Sequence, residues 1–273
     1  MRAKQLLQQY GLAPRKGMGQ NFLVEDRYLQ RIVDAAEIGP QDQIVEVGPG
    51  LGNVTRALAE RAGRVIAVEL DRDLVRVLRE TLGDLPHVEI VAADILEVSM
   101  AQLLGSRAVA PYKVVANLPY NITSAVLRHF LESEPRPMRL VLMVQKEVAQ
   151  RITATPGEMS LLAVSVQFYG APRIVAHVPA GAFYPRPKVD SAIMRIDTYT
   201  QPPVEVADVA RFFAVVRAGF GQRRKQLRNA LSHGLGMPTA AVEEAMRRCG
   251  LDPQRRAETL DLGEWAALVR CLS

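Results

Sequence analysis

The chain has 273 residues, of which 48% are hydrophobic and 23% charged, with a net charge of +5 at pH 7 and an isoelectric point near 9.4. These values fit a fully folded globular protein and exclude a repeat or low-complexity protein, while the mild positive charge permits a nucleic-acid partner without requiring one. No stretch reaches the roughly 20 apolar residues of a membrane helix or resembles a secretion signal, and the two cysteines are too few for a disulfide framework. We therefore expect a cytoplasmic protein with no metal and no membrane partner.

Short β-branched runs alternate with amphipathic runs between about residues 43 and 146. This alternation predicts right-handed βαβ units and a mostly parallel sheet, and the nearly continuous hydrophobic character of the strands predicts that both sheet faces are covered. The strand-like runs are QIVEVG, RVIAVEL, VEIVAAD, YKVVAN and RLVLMVQ, and the helix-like runs are NVTRALAERA, RDLVRVLRETL and SAVLRHFLES.

The remainder of the chain predicts an edge hairpin and then a small helical domain. After a helix-like stretch, SLLAVSVQF, the runs RIVAHVPA and SAIMRID complete a seven-stranded sheet. Two prolines in DTYTQPPVE mark a boundary, beyond which four segments have helical patterns separated by Gly and Pro. The predicted domains are residues 1–199, Rossmann-like α/β, and residues 200–273, all-α.

A glycine-rich turn, VEVGPGLGNVT, follows the first predicted strand and opens a helix. Gly48, Gly50 and Gly52 let the backbone approach a ligand closely. Glu69 ends the next strand, where a carboxylate can accept hydrogen bonds from ribose hydroxyls, and Asp94 ends the strand after that, where it can accept one from an adenine amino group. Each could singly be a turn or helix cap. Together they predict an adenosine-containing cofactor.

The pattern favours S-adenosylmethionine over NAD. The glycines form GPGLG rather than GxGxxG, and no hydride-transfer partner is apparent. S-adenosylmethionine also has no pyrophosphate that needs a cradle. We therefore expect a class I methyltransferase fold with S-adenosylmethionine as its cofactor.

Asn117, Leu118, Pro119 and Tyr120 follow the fourth predicted strand and resemble the Asn/Asp/Ser-Pro-Pro-Tyr motif of methyltransferases that act on adenine N6. The adenine amine is a poor nucleophile because its lone pair is delocalised into the ring. The Asn117 oxygen and a backbone carbonyl of the rigid Leu118-Pro119 segment can accept both amino hydrogens, and Tyr120 can stack on an extruded base. The substrate is then single-stranded or distorted nucleic acid. The alternative is a turn in which Pro119 only ends the strand.

Two further segments suggest contact with a nucleic acid. In GAFYPRPKVD, Phe183 can cover the second face of the base or instead fill the core, and Arg186 and Lys188 can contact phosphates. RRKQLRNAL reads as a basic helix whose cations can bind phosphates or form a solvated face. These cations are Arg223, Arg224, Lys225 and Arg228.

Seven segments together resemble the ribosomal RNA adenine dimethyltransferase family of the kasugamycin-sensitivity type over nearly the whole chain. They are GQNFL (19–23), EVGPGLG (46–52), VELD (68–71), AAD (92–94), NLPYN (117–121), FYPRPKVDS (183–191) and FGQRRKQLRNAL (220–231). The resemblance implies N6,N6-dimethylation of two adjacent adenines in the 3′-terminal hairpin of small-subunit (16S) ribosomal RNA. It also implies an immature small-subunit particle as partner, a role in ribosome biogenesis and a monomeric enzyme.

The resemblance also assigns residues to the cofactor. It implies that GQNFL folds over S-adenosylmethionine, with Asn21 and Leu23 in contact with it. It further implies that Gly48, Glu69, Asp94 and Asn117 are cofactor contacts.

Three other functions stay open. The first is a large-subunit (23S) ribosomal RNA methyltransferase of the macrolide-resistance type, against which the RRK…LRN segment and the PRPKVDS form argue. The second is a non-catalytic RNA-binding assembly factor, against which the intact Asn117–Tyr120 motif and the pair of acids argue. The third is a DNA adenine N6-methyltransferase.

Overall fold

A computed structural model describes residues 2–107, 111–222 and 224–272, so the predicted phosphate contact Arg223 lies outside the described residues. The chain divides into two compact units. The first contains Met1–Ala149 and Pro172–Thr198, and the second contains Gln150–Ala171 and Tyr199–Ser273. The sequence predicts one boundary, between residues 199 and 200, whereas in the structure residues 150–171 group with the C-terminal helices.

The strands and helices follow the predicted order along the chain. The strands are β1 (Phe22–Leu23), β2 (Gln43–Val47), β3 (Arg64–Glu69), β4 (Val88–Ala92), β5 (Tyr112–Asn117), β6 (Arg139–Gln145), β7 (Gly170–Val178), β8 (Phe183–Tyr184) and β9 (Ser191–Thr198). The helices are α1 (Arg2–Gln9), α2 (Asp26–Ala36), α3 (Asn53–Ala59), α4 (Arg72–Leu82), α5 (Met100–Leu104), α6 (Thr123–Glu132), α7 (Lys146–Ile152), α8 (Leu161–Tyr169), α9 (Val209–Phe220), α10 (Leu227–Leu235), α11 (Thr239–Arg248) and α12 (Leu262–Cys271).

The large sheet has the strand order β4-β3-β2-β5-β6-β9-β7. Strands β2 to β6 pair in parallel, and β9 pairs with β6 antiparallel. The order reverses between β2 and β5, which creates the kind of switch point at which open α/β sheets bind ligands. The predicted α/β class with a closing edge hairpin is confirmed. The predicted burial is wrong for β4, whose residues are intermediate or exposed because it lies at the sheet edge.

Helix α4 illustrates how local sequence places an element on the sheet. The Asp71 side chain accepts a hydrogen bond from the Asp73 backbone N–H and caps the helix N-terminus. Leu74, Leu78 and Leu82 recur at helical spacing and are buried. Burial of such an apolar stripe contributes most of a short helix's stability.

A small second sheet, which the sequence analysis missed, joins two distant segments. Strand β1 pairs antiparallel with β8, and Phe22 lies opposite Tyr184 while Leu23 lies opposite Phe183. The sequence analysis assigned no strand to either GQNFL or FYPRPKVDS. Pairing between positions so far apart in the chain leaves no local pattern.

The second unit has an aromatic core of its own. Phe168 of α8 stacks on Phe212 of α9 with a centroid distance of 4.9 Å, and Tyr169 stacks on Phe213 at 5.9 Å. These contacts explain why residues 150–171 group with the C-terminal helices. Helix α12 begins with a capping box between Asp261 and Glu264.

The predicted basic helix begins later than expected. Helix α10 starts at Leu227, so Arg224 and Lys225 lie in the turn before it and are exposed.

Each helix in the described residues is too short or too polar to cross a lipid bilayer. Nor do the described side chains include a group of three or more His, Cys, Asp or Glu arranged to bind a metal ion.

Four charged side chains form a network at the start of β6 and the end of β9. Arg139 binds Glu37 at 2.7 Å and Asp197 at 2.6 Å. Arg195 binds the same two carboxylates. Hydrogen bonds from Arg195 and Arg139 lower the pKa of Glu37 from its ordinary 4.5 to about 2.

We predict that Glu37→Gln lowers the free energy of unfolding at pH 7 by at most about 1 kcal/mol, because Glu37 is 58% exposed and solvent screens the pairs. Because the pKa of Glu37 is lower in the folded than in the unfolded protein, the ionised carboxylate stabilises the fold at pH values above the unfolded-state pKa. The difference between wild type and variant should therefore shrink as pH falls from about 4.5 toward 2. Urea titrations at pH 7 and pH 3.5 measure it.

The control is Glu132→Gln, which removes an exposed pair with Arg128 four residues away in the same helix. Such pairs contribute only a few tenths of a kcal/mol, at about 0.2–0.5 kcal/mol each. A difference for Glu37→Gln that stays constant down to pH 3 would show that the ionised carboxylate is not its cause.

Candidate functional site

The tips of four neighbouring strands meet at one edge of the sheet, as the sequence predicted. In sheet order, Asp94 follows β4, Glu69 ends β3, Gly48 follows β2 and Asn117 ends β5. A cavity opens at this edge. Eight of the predicted residues line it: Asn21, Leu23, Gly48, Gly50, Glu69, Asp94, Asn117 and Pro119.

The glycine turn shapes one wall of the cavity. Gly48, Gly50 and Gly52 all have positive φ angles, between 60° and 79°, which residues other than glycine rarely adopt. A Cβ atom on Gly50 would lie 3.1 Å from the Phe22 ring. The turn therefore needs glycine both for its conformation and for the close approach of β1.

Glu69 is buried and fixed by the backbone around it. Its carboxylate accepts hydrogen bonds from the Asp71 N–H at 2.9 Å and from the Gly50 N–H at 3.2 Å. Burial raises the pKa of Glu69, and the hydrogen bonds from Asp71 and Gly50 oppose that rise. A rigid carboxylate facing the cavity can accept hydrogen bonds from ligand hydroxyls.

Asp94 lines the cavity and also caps a short 3₁₀ turn. One carboxylate oxygen accepts a hydrogen bond from the Leu96 N–H at 2.9 Å. The capping alternative and the ligand reading therefore both fit this residue, because a carboxylate has several acceptor positions.

Glu46 is a cavity residue that the sequence analysis missed. It is only 2% exposed, and its Oε2 atom has no hydrogen-bond partner among the described residues. Burial raises the pKa of Glu46 to about 8, and the negative charge of Glu69 adds to that rise. The available signal was an acid in the middle of the otherwise apolar strand QIVEV.

Two apolar walls were also missed. Leu70 and Ile95 line the cavity directly after the strand-end acids Glu69 and Asp94. Leu70 is a large apolar side chain that is exposed. The pattern of an acid followed by an aliphatic residue, in VEL and ADI, could have indicated a slot for a flat apolar ring.

The Asn117 carboxamide has a defined orientation. Its Nδ2 atom donates a hydrogen bond to the backbone carbonyl of Asn21 at 3.0 Å. Because a carbonyl can only accept, the amide nitrogen faces Asn21 and the oxygen faces away from it. Asn21 and Asn117, which the sequence assigned to different segments, are thus direct partners.

The remaining residues of the motif are held from behind. Leu118 is buried, and its N–H donates to the Met143 carbonyl at 3.4 Å. The Pro119 carbonyl accepts from the Ile122 N–H at 3.2 Å, so Pro119 starts a turn as well as lining the cavity. The Tyr120 hydroxyl lies 2.8 Å from the Ser191 Oγ atom, which fixes the half-buried ring at its distal end.

Phe183 lies in the core in this structure. It is 5% exposed and belongs to a hydrophobic cluster with Leu23, Tyr28 and Ile32. This placement fits the core-filling alternative. Stacking of Phe183 on a base stays a prediction that requires the ring to leave this cluster.

The predicted phosphate contacts differ in their surroundings. Arg186 and Lys188 in the first unit are exposed, as are Arg224 and Lys225 in the second. Arg228 instead pairs with Glu243 of α11. That ion pair engages its charge within the helical unit and fits a structural role.

The residues present fit S-adenosylmethionine on chemical grounds. The orphaned buried oxygen of Glu46 suits a cation, and the rigid Glu69 carboxylate suits ribose hydroxyls. At Gly48 the cavity wall has no side chain, and a Cβ atom there would have only the Asn117 carbonyl oxygen near it, at 3.9 Å. The apolar walls Leu70 and Ile95 suit the faces of adenine.

Comparisons with known proteins agree with this chemistry. The sequence model of the family described as ribosomal RNA adenine dimethylase matches residues 12–273. The ribosomal RNA small subunit methyltransferase A of Dehalococcoides mccartyi is 50% identical over 97% of this chain and 91% of its own length. The protein of the same description from Moorella thermoacetica is 48% identical over 98% and 95%, respectively.

Two solved structures share the fold over most of the chain. The crystal structure of 23S rRNA methyltransferase ErmE aligns with a TM-score of 0.73 and 31% identity, covering 92% of this chain and 99% of its own. A dimethyladenosine transferase from Plasmodium falciparum aligns with a TM-score of 0.75 and 21% identity over 90% and 95%, respectively. At that identity the second likeness supports the fold alone.

We predict that S-adenosylmethionine binding at pH 7 releases a proton from Glu46. With a pKa of about 8, the carboxyl group is mostly protonated in the ligand-free protein at pH 7. A cationic ligand favours the ionised form and lowers that pKa, so affinity should rise with pH toward 8. Calorimetry in buffers of different ionisation enthalpy measures how many protons are released on binding. Glu46→Gln should release up to one proton fewer than the wild type.

The surface variant Glu60→Gln, at an exposed position, is the control and should release as many protons as wild type. Equal proton release by wild type and Glu46→Gln would contradict a role for Glu46 in holding the cation.

Proposed function

The chain belongs to the ribosomal RNA adenine dimethylase family, and from this membership we propose that it dimethylates the N6 atoms of adenines in small-subunit ribosomal RNA with S-adenosylmethionine. We further propose that the targets are two adjacent adenines in the 3′-terminal hairpin and that the substrate is an immature small-subunit particle, which the enzyme meets as a monomer. One observation carries the chemistry: the Asn117 carboxamide is fixed at the cavity with its nitrogen bound to Asn21.

The cofactor contacts follow from the cavity. When bound, S-adenosylmethionine supplies an electrophilic methyl group. In our proposal Glu69 holds the ribose, Asp94 accepts from the adenine amine, and Glu46 faces the positive charge. Gly48, Asn21 and Leu23 complete the walls around these carboxylates.

Asn117 acts on the target amine. Since its nitrogen faces Asn21, its oxygen is the atom that can accept a hydrogen from the exocyclic amine. Accepting that hydrogen localises the nitrogen lone pair, which otherwise conjugates with the purine ring. No general base with a tuned pKa is required, because the amine loses its proton only as it becomes cationic. Alignment and a fixed dipole therefore supply the catalysis.

The second amine hydrogen needs a backbone acceptor. The carbonyls of Pro119 and Tyr120 already accept hydrogen bonds from Ile122 and Thr123. We therefore assign this role to the backbone carbonyl of Leu118. The Leu118 side chain is buried in the core and holds this residue in place. The Tyr120 ring, tethered by Ser191, is the stacking surface for the extruded base.

Exposed cations provide the attraction to RNA. Arg186 and Lys188 follow the β8 strand, and Arg224 and Lys225 precede α10. Contacts of this kind give affinity that falls steeply with salt and carry little sequence information. Selection of the target hairpin then depends on RNA shape and on access to an unpaired base.

Sequence identity to the known enzymes favours the small ribosomal subunit over the large one as the target. The two relatives named above, both described as small-subunit methyltransferases, are 50% and 48% identical to this chain, whereas the large-subunit enzyme ErmE is 31% identical. The same comparison favours RNA over DNA as substrate.

We predict that the wild type transfers labelled methyl groups to small-subunit particles from an unmethylated source and that nucleoside mass spectrometry finds N6,N6-dimethyladenosine. Asn117→Ala should reduce transfer by roughly 10²–10³-fold, as loss of a preorganised hydrogen-bond partner does. Its affinity for S-adenosylhomocysteine should change far less, because the other cavity contacts remain.

The parallel assays decide among the alternatives. If large-subunit RNA were methylated in place of small-subunit particles, the protein would be a large-subunit methyltransferase. If DNA were methylated instead, it would be a DNA adenine methyltransferase. Particle binding by the wild type without methyl transfer to any adenine would support the non-catalytic assembly factor and overturn the enzyme reading.

We predict that Tyr120→Ala lowers kcat/KM for RNA by roughly 5- to 150-fold, the equivalent of one base–aromatic stacking contact. Tyr120→Phe keeps the ring and should retain most activity. Ser191→Ala removes the same hydroxyl contact from the other side and should match Tyr120→Phe in steady-state kinetics. Equal losses in Tyr120→Phe and Tyr120→Ala would show that the hydroxyl, rather than the ring, matters.

A further inference from the structure

Arg15, Gln20 and Asp71 form a polar cluster beside the cavity, which we name the clasp. The buried Asp71 carboxylate accepts hydrogen bonds from Arg15 Nη1 at 2.8 Å and from Gln20 Nε2 at 2.9 Å. The Gln20 Oε1 atom accepts a hydrogen bond from the Arg15 backbone N–H at 2.8 Å. Both side chains of the N-terminal segment thus converge on one carboxylate that is 4% exposed.

The clasp is attached to the strand end that carries Glu69. The Asp71 N–H donates to Glu69 Oε1 at 2.9 Å. The same Asp71 side chain caps α4 by accepting the Asp73 N–H at 3.0 Å. Because its backbone and its carboxylate are both fixed, Asp71 is a rigid anchor for whatever binds it.

The other end of the segment reaches the catalytic amide. One residue after Gln20, the Asn21 carbonyl accepts the hydrogen bond from Asn117 Nδ2. The Asn21 side chain donates to the Gly19 carbonyl at 2.9 Å, which stiffens the turn. Gly19 has a φ of +64°, and a Cβ atom there would lie 3.1 Å from the Pro119 Cβ atom.

The segment therefore spans the site from Glu69 to Asn117. The carbonyl that orients Asn117 belongs to an irregular stretch between a 3₁₀ turn, Lys16–Met18, and the two-residue strand β1. Without an anchor such a stretch has few hydrogen bonds to hold the carbonyl at 3.0 Å from the amide. The clasp lies one residue away and supplies that anchor.

We propose that Arg15, Gln20 and Asp71 are positioning residues for methyl transfer: they hold the Asn21 carbonyl against the Asn117 carboxamide and so aim the amide oxygen at the target amine. This inference rests on the proposed function. It deepens that function by linking the cofactor side of the cavity to the orientation of the amide. None of the three clasp residues needs to contact the substrate.

The variants remove the clasp without touching the amide. Gln20→Ala deletes the contact nearest Asn21, and Arg15→Ala deletes the outer ion pairs with Asp71 and Asp73. The matched control is Arg61→Ala, which deletes an exposed arginine–aspartate pair of 2.9 Å with Asp34 away from the cavity. Arg61→Ala should keep the thermal midpoint of the wild type, since exposed pairs contribute little to stability. Gln20→Ala and Arg15→Ala should also stay folded, because each leaves the buried Asp71 carboxylate one of these two partners and the Asp73 N–H.

Two measurements report on the clasp. Single-turnover methyl transfer should fall about tenfold in Gln20→Ala and less in Arg15→Ala, because small displacements of a catalytic group are costly. Hydrogen exchange of the backbone amides of residues 18–23, with S-adenosylhomocysteine bound, should be faster in both variants than in wild type. Arg61→Ala should match wild type in both measurements.

Gln20→Glu provides a pH signature that a merely structural role would not produce. The introduced carboxylate would lie about 2.9 Å from Asp71 in place of the Gln20 nitrogen. Two carboxylates repel when both are ionised and share a proton at lower pH. The transfer rate of Gln20→Glu relative to wild type should therefore recover as pH falls from 8 to 6.

Wild-type exchange rates in residues 18–23 for Gln20→Ala, or an equal loss of transfer in Arg61→Ala, would overturn the proposal. A pH-independent ratio for Gln20→Glu would also count against it. If the wild type transferred no methyl group to small-subunit particles, the proposed function would fail. The exchange measurement would then still decide whether the clasp holds the segment.

Discussion

The site depends on one geometric constraint, namely that parallel strands bring their carboxyl ends to the same edge of a sheet. Strands β4, β3, β2 and β5 are neighbours, so residues far apart in the sequence become adjacent side chains and turns. The reversal of strand order between β2 and β5 opens the crevice. Short turns connect these strands to the helices or the 3₁₀ turn that follow them, and the glycine turn lets the backbone itself form a wall.

The acidic and the basic candidate residues differ in their burial. Glu46 and Glu69 are buried carboxylates whose pKa values burial raises, and both line the cavity that suits a cation. The exposed cations Arg186, Lys188, Arg224 and Lys225 suit phosphates instead. The neutral amide of Asn117 lines the same cavity as the two acids, which fits our proposal that an uncharged amine attacks a cationic donor.

The Asn117 amide, to which we assign the catalytic role, is oriented by a backbone carbonyl rather than by another side chain. This arrangement makes the orientation of Asn117 depend on where residues 19–21 lie. The fold is shared with a 23S ribosomal RNA methyltransferase, so the fold alone does not select the RNA target. In our proposal target choice depends on loops and surface cations, which differ more freely because they do not pack in the core.

The sequence alone was enough to predict the α/β class and the strand ends that line the cavity, because hydrophobic periodicity and strand-end polarity are local properties. It did not reveal the β1–β8 pairing, the Arg228–Glu243 ion pair, the grouping of residues 150–171 with the C-terminal helices or the hydrogen bond between Asn21 and Asn117. Nor did it identify Glu46 or distinguish the core position of Phe183 from a stacking position. Each of these depends on which distant segment packs against a residue, and a local pattern holds no information about the partner.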